Sequence, residues 1–144
     1  MVTAHATCIA FDGLGVLLRG PSGSGKSDLA LRAIAEGAQL VADDQVVLVR
    51  DGEDVIASAP PTLRDMIEIR GLGIMRVAAA AEARIALVAD LSDPAGVERL
   101  PNRRYCDLVG VSLPWLALAP FEISALAKLR FALEAAVEPA RLTT

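Results

Sequence analysis

The chain has 144 residues, a formal net charge of −4 from 14 Lys and Arg against 18 Asp and Glu, and a hydrophobic fraction of 53%. That is enough apolar material for the buried core of one domain and excludes intrinsic disorder, while the acidic balance argues against nucleic acid, whose phosphate backbone calls for a basic face. No apolar run reaches the roughly 18 residues of a membrane span, no leader pattern opens the chain, and Cys8 and Cys106, far apart and beside a single histidine, exclude a structural zinc site and indicate reduced thiols, so the expectation is a cytoplasmic protein with neither a membrane nor a nucleic-acid partner.

Residues 4–11 read as a strand, Asp12-Gly13 as a tight turn, and residues 14–18 as the returning strand of a hairpin. That hairpin runs into Gly20-Pro21-Ser22-Gly23-Ser24-Gly25-Lys26-Ser27, a complete G-x-x-x-x-G-K-S phosphate-binding loop. Its glycines let backbone N–H groups wrap phosphate oxygens, Lys26 supplies a point charge, and Ser27 supplies a hydroxyl for Mg²⁺. Residues 28–36 carry apolar positions at helical spacing, and Gly37 stands where a C-terminal cap belongs, so a helix of about ten residues points its positive end at the phosphates. Strand, loop and helix therefore follow one another in the order that nucleotide triphosphate binding requires.

Residues 39–42 form a short apolar strand ending in Asp43-Asp44, and residues 46–49 continue it or begin another. Two adjacent carboxylates after such a strand can divide labour, one orienting metal or water and the other accepting a proton from an attacking hydroxyl; a surface turn pair is the alternative. Arg50-Asp51-Gly52-Glu53 reads as a second hairpin turn leading to Val55-Ile56. Pro60-Pro61 breaks the pattern, residues 63–66 read as a short helical turn, and residues 67–73 enter a glycine-bearing loop.

If residues 67–70 are extended, Glu68 and Arg70 share one face while Ile67 and Ile69 bury on the other. An acid beside a base facing a phosphate site can hold Mg²⁺ and stabilise transferring charge; a surface salt bridge is the alternative. Residues 77–83 are alanine-rich and carry little information, residues 84–90 read as a buried strand, and residues 121–138 as a helix. His5 reads as a structural residue or an acid–base group, Arg99, Arg103 and Arg104 as a solvated basic stretch, and Trp115 and Phe121 as core or interface hydrophobes. Hairpins beside a strand–loop–helix unit give an α/β fold with a mixed sheet in a P-loop domain spanning residues 1–144.

Three segments taken together, Gly20 to Ser27, Leu40-Val41-Ala42-Asp43-Asp44 and Ile67-Glu68-Ile69-Arg70-Gly71-Leu72-Gly73-Ile74, resemble the catalytic C-terminal domain of the HPr kinase/phosphorylase family. The third string is far more specific than the phosphate loop, and the likeness runs from His5 to about Asp90. The resemblance implies a fold like that of phosphoenolpyruvate carboxykinase, ATP and Mg²⁺ as cofactors, and transfer of a phosphoryl group to a serine of an HPr-like phosphocarrier of the bacterial phosphotransferase system.

Carried over by motif, Gly20, Pro21, Ser22, Gly23, Ser24 and Gly25 with Lys26 and Ser27 bind the nucleotide, Lys26 contacting its β and γ phosphates. Ser27 and Glu68 hold Mg²⁺, and Asp44, beside Asp43, is the proton acceptor. Arg70 adds positive charge, His5 matches the family histidine that opens its strand, and Arg99 in Val97-Glu98-Arg99-Leu100 matches the arginine of the family's Y-D-R-L-G. With the histidine at position 5, the chain resembles a short form without the N-terminal domain. The Pro-, Arg- and Gly-rich stretch linked to the reverse reaction in long forms is replaced by residues 116–121, so the resemblance carries kinase activity and not phosphorylase activity. That region also shapes subunit contacts, which leaves a homo-oligomer compatible with the sequence but carries over no hexamer.

Two other readings share the loop chemistry. One is a small-molecule kinase, for whose lid and substrate pocket 144 residues leave little room. The other is a nucleotide-sensing module with little turnover, signalling through a partner such as a two-component sensor kinase. A GTPase is disfavoured by the lack of an N-K-x-D segment.

Overall fold

A computed structural model describes residues 1–144. Eleven strands and two α-helices follow in the order β1 (Val2–Ala4), β2 (Thr7–Phe11), β3 (Leu14–Arg19), α1 (Lys26–Ala35), β4 (Gln39–Ala42), β5 (Val46–Asp51), β6 (Asp54–Ser58), β7 (Met66–Ile69), β8 (Gly73–Arg76), β9 (Glu82–Leu91), β10 (Arg104–Leu108), β11 (Val111–Leu118) and α2 (Ala125–Val137). The β2–β3 hairpin, the strand–loop–helix unit, the β5–β6 hairpin and the buried strand β9 stand where the sequence pattern puts them.

The main sheet has nine strands and is mixed, with order β1-β5-β6-β9-β3-β2-β4 and the β10–β11 hairpin joined to β9 through β11. Its parallel part is the block β3, β9 and β11, in which β9 lies between the other two. β9 pairs antiparallel with β6 through its first residues, Glu82 to Arg84, and parallel with β11 through Val88 to Leu91, so β6 and β11 follow each other along β9.

Successive residues of the central strands serve opposite faces, as the period of a strand requires. Val16 and Leu18 of β3 join Leu29 and Ala33 of α1 and Leu129 and Leu133 of α2 in one core. Leu17, between them, belongs to a second core with Val41 and Ala42 of β4, Leu48 of β5, Val55 and Ala57 of β6, and Leu113 of β11. Helices cover the first face. The second is filled by the sheet's own outer strands, because the sheet curls far enough for β4 to pack against β6 although three strands separate them in the sheet order.

That curl has a consequence at residues 5 and 44. The expected single strand over 4–11 is two strands, interrupted at His5-Ala6, and β4 and β5 are interrupted opposite them at residues 43–45. The antiparallel register is the same on both sides of the break: Ala4 faces Val46, Cys8 faces Ala42, and between them the Ala6 N–H donates to the Asp44 carbonyl at 3.2 Å. One antiparallel ribbon is thus bent at its middle. Its lower half pairs with the helix-covered sheet and its upper half folds over the second core.

Other expectations are corrected. Residues 67–73 are not a loop but most of the β7–β8 hairpin, a separate two-stranded sheet turning at Gly71, whose φ of 88° favours glycine. Ile67, 1% exposed, anchors that hairpin in the helix-side core. The helical turn expected at residues 63–66 is a 3-10 turn at Pro61–Leu63, and Met66 already belongs to β7. The helix expected over 121–138 begins at Ala125, after a turn that leaves Phe121 exposed. Strands β10 and β11 have no counterpart in the sequence reading. No helix is long and apolar enough to cross a membrane.

Candidate active site

The phosphate-binding loop joins β3 to α1 at the C-terminal end of the parallel block, where open α/β sheets place their ligand crevices. Gly25 caps α1 with φ 104°, and a Cβ there would lie 3.0 Å from both the Phe121 ring and Pro120, so the position excludes a side chain twice over. Lys26 is the first residue of α1 and only 7% exposed. Its ammonium donates to the carbonyls of Gly20 at 2.6 Å and Pro21 at 3.0 Å, and no carboxylate neutralises it. A nearly buried cation held by neutral carbonyls at a helix N-terminus is a site short of negative charge, which fits an anionic phosphate.

A cleft of about 680 Å³ opens in front of this lysine. His5, Lys26, Ser27, Asp43, Asp44, Glu68 and Arg70 all line it, so four separate chain segments meet there. The Ser27 hydroxyl donates to Asp43 at 2.8 Å, and the buried Thr7 hydroxyl donates to the same carboxylate oxygen at 3.1 Å. Two donors on one oxygen fix the Asp43 side chain against the start of α1. Asp44 points the other way and meets the His5 Nε2 at 2.8 Å, both side chains exposed to the cleft.

Asp44 has φ 68°, a left-handed conformation at the bend of the ribbon that turns neighbouring carboxylates apart. Aspartate tolerates it better than most residues. The His5–Asp44 contact follows directly from the bend, since His5 precedes the residue whose N–H binds the Asp44 carbonyl. His5 is therefore in the break between strands rather than on the strand where the sequence reading put it.

Glu68 and Arg70 reach the same cleft from the β7–β8 hairpin, with Ile67 buried and Glu68 exposed as extended backbone requires. They form no ion pair with each other. No group of three or more His, Cys, Asp or Glu side chains converges as a metal cage. The hard oxygen donors near the loop are the Ser27 hydroxyl and the Asp43 and Glu68 carboxylates, a set that suits Mg²⁺ completed by phosphate and water. Of the expected loop residues, Gly20, Pro21 and Ser24 do not line this cleft, Gly20 and Pro21 meeting it through the carbonyls that hold Lys26; Arg99 lies apart from the loop altogether, exposed in the segment after the 3-10 turn Pro94–Gly96, and does not line the cleft.

Sequence reasoning missed a network directly behind the loop. Arg19, the residue before Gly20, donates to both oxygens of Asp90 at 2.7 and 2.9 Å, and the Trp115 indole N–H donates to Asp90 at 2.7 Å. Burial alone would raise the Asp90 carboxyl, but the hydrogen bonds from Arg19 and Trp115 and the Arg19 charge outweigh it and hold the group below its ordinary value. Arg104 lies 4.2 Å over the Trp115 ring, and Arg103 donates to the carbonyls of Pro139 and Leu142, so neither is merely solvated. The only available signal was the pairing of a charged residue at the end of each of two buried strands, Arg19 and Asp90.

Fold and site together define a P-loop α/β domain of the phosphoenolpyruvate carboxykinase-like kind, with acidic groups and an arginine gathered before the loop. The chain belongs to the HPr Serine kinase C-terminal domain family, whose model matches residues 1–143. It is 37% identical over 147 aligned residues to the HPr kinase/phosphorylase of Cupriavidus necator, covering 94% of this chain and 45% of that protein. With the HPr kinase/phosphorylase of Caldanaerobacter subterraneus it shares 48% identity over 77 residues, 53% of this chain and 25% of that one. The structure of the Hpr(Ser) kinase/phosphatase from Coxiella burnetii superposes with a TM-score of 0.79 at 28% identity, covering 98% of this chain and 97% of that chain. The chain spans about half the length of the curated relatives it matches.

Proposed function

We propose that this chain is a cytoplasmic, ATP-dependent kinase domain that transfers the γ-phosphoryl group to a serine of an HPr-like phosphocarrier. The observation that carries this reading is the meeting, in one cleft, of the loop lysine and serine with Asp44 and its histidine and with Glu68 and Arg70. Phosphoryl transfer asks little covalent chemistry of a protein and much positioning and charge compensation, which is what these residues offer.

Lys26 and the loop N–H groups hold the phosphate chain, and Arg70 faces the charge that develops on the transferred group. Ser27, Asp43 and Glu68 are the residues that would hold Mg²⁺, which when bound neutralises phosphate charge. Asp44 accepts the proton of the serine hydroxyl as the new O–P bond forms and the bond to the ADP leaving oxygen breaks. His5, on the far oxygen of Asp44, keeps that carboxylate oriented toward the cleft. The names of the relatives include a phosphorylase or phosphatase activity; the reading for this chain is the forward reaction.

The test is transfer of labelled γ-phosphate from ATP with Mg²⁺ to HPr-like carriers, intact and serine-substituted. Label that requires both the carrier serine and Asp44 supports the kinase. Nucleotide binding without label on any carrier replaces it with a nucleotide-sensing module.

A further inference from the structure

A second cavity, of about 510 Å³, lies on the other side of the phosphate loop and has no role in the chemistry described above. It is bounded by the chain just beyond the C-terminal ends of all three parallel strands: the loop after β3, Ser92 and Asp93 after β9, and Ala119 to Glu122 after β11. Ser22, Gly23 and Phe121 line both cavities and so form the ridge between them.

The two cavities differ in their cations. The first sets Lys26 and Arg70 among the carboxylates of Asp28, Asp43, Asp44 and Glu68; the second has no Lys or Arg in its lining to offset Asp93 and Glu122. Phosphates are repelled from the second and neutral hydrogen-bond donors are not. Leu91, Pro94, Ala119 and Pro120 supply apolar walls, and Phe121, 71% exposed with the edge of its ring toward Gly25, stands at the ridge. Glu122 is engaged by Lys128 at 3.1 Å, whereas the Asp93 side chain takes part in no hydrogen bond or ion pair.

From this we infer that the second cavity binds the nucleoside of the phosphate donor: the base stacks against Phe121, and Asp93 accepts hydrogen bonds from the ribose hydroxyls. The inference rests on the phosphate-donor reading above and adds the place and the residues for the uncharged half of the molecule. The volume lies within the range of about 300–1,000 Å³ typical of small-molecule sites, and apolar walls with a few polar anchors, here Asp93 and the serine hydroxyls, are their usual lining.

The test is calorimetric titration of wild type, Phe121→Ala, Asp93→Asn and Lys26→Ala with Mg²⁺-ATP and, separately, with Mg²⁺-tripolyphosphate, which has the phosphates and no nucleoside. Phe121→Ala should weaken ATP about tenfold, the ordinary worth of one base–aromatic stack. Asp93→Asn should weaken ATP about threefold, and both variants should bind tripolyphosphate as the wild type does. Equal losses for both ligands would overturn the inference by showing that Phe121 only shapes the loop. Unchanged ATP affinity in both variants would overturn it by placing the nucleoside elsewhere. A wild type that binds neither ligand would sink the phosphate-donor reading itself, and this inference with it; binding of both that is lost in Lys26→Ala keeps that reading whatever the other two variants do.

Discussion

Asp44 combines two demands in one residue, because its side chain faces His5 in the cleft while its backbone holds a φ of 68°. Asparagine tolerates that backbone and keeps one side-chain oxygen for the histidine, whereas alanine in the left-handed region costs about 1 kcal/mol. Asp44→Asn should therefore keep the wild-type melting temperature and nucleotide affinity while phosphoryl transfer falls by about 10²–10⁴-fold, the usual worth of a general base. Asp44→Ala should lose transfer to the same extent and melt measurably lower. Parallel thermal melts, nucleotide titrations and transfer assays separate the two effects; an active Asp44→Asn removes Asp44 from the chemistry. Asp90 gives a second residue-level expectation. Its carboxyl is held below the ordinary value of 3.8, so the stability it supplies is complete above the ordinary range and is lost as pH falls through the depressed value. Asp90→Asn should destabilise by about 1–2 kcal/mol at neutral pH, discounted for side chains about one-third exposed, and the gap from wild type should close in acid. Chemical denaturation at neutral and acidic pH checks it, and a gap that widens in acid refutes it.

At the scale of elements, the legible parts are those whose local chemistry acts alone. The phosphate loop needs its glycines, β9 carries an unbroken apolar run from Ile85 to Ala89, and α1 has helical spacing and a glycine beyond its end. The β10–β11 hairpin was illegible for the opposite reason. Its turn is Val109-Gly110, with a β-branched residue at φ 51°, and Pro114 stands inside β11, which reads as a strand breaker. Pro114 is tolerated because it faces Tyr105 of β10 just before the pairing with β9 begins at Trp115. The turn is held instead by Asp107, whose carboxylate accepts from the Gly110 N–H at 3.1 Å. The site divides in the same way: the loop residues and the Glu68–Arg70 face follow from local pattern, but nothing local pairs His5 with Asp44, 39 residues apart. Gly25→Ala tests the loop as an element. It forces a side chain onto φ 104° and to within 3.0 Å of Pro120 and the Phe121 ring, so Mg²⁺-ATP affinity should fall at least tenfold with little loss of helicity. Wild-type affinity in a titration would show that the loop does not grip phosphate in this geometry.

For the whole molecule, two cores share one sheet, and adjacent residues of β3 answer to different cores. Leu18→Ala opens a cavity under both helices and should cost about 2–5 kcal/mol, read as a fall in the midpoint of chemical denaturation. Leu17→Ala should cost a similar amount through the other face, and the two losses should add if the cores are energetically separate. Strong coupling in the double variant would mean that the sheet transmits strain between them.

The bent ribbon acts as a ruler. Only residues 43–45 separate the last residue of β4 from the first of β5, and the partner strand crosses the same gap in register. One residue added there would turn β5 over, sending Val46 and Leu48 out to solvent and Val47 inward. A side-chain exchange in this short span alters the site and leaves the strands in place, whereas a change of length alters both, so the position of the two carboxylates and the integrity of the second core are fixed by a single count. Any lineage that keeps the fold inherits the spacing of the site with it.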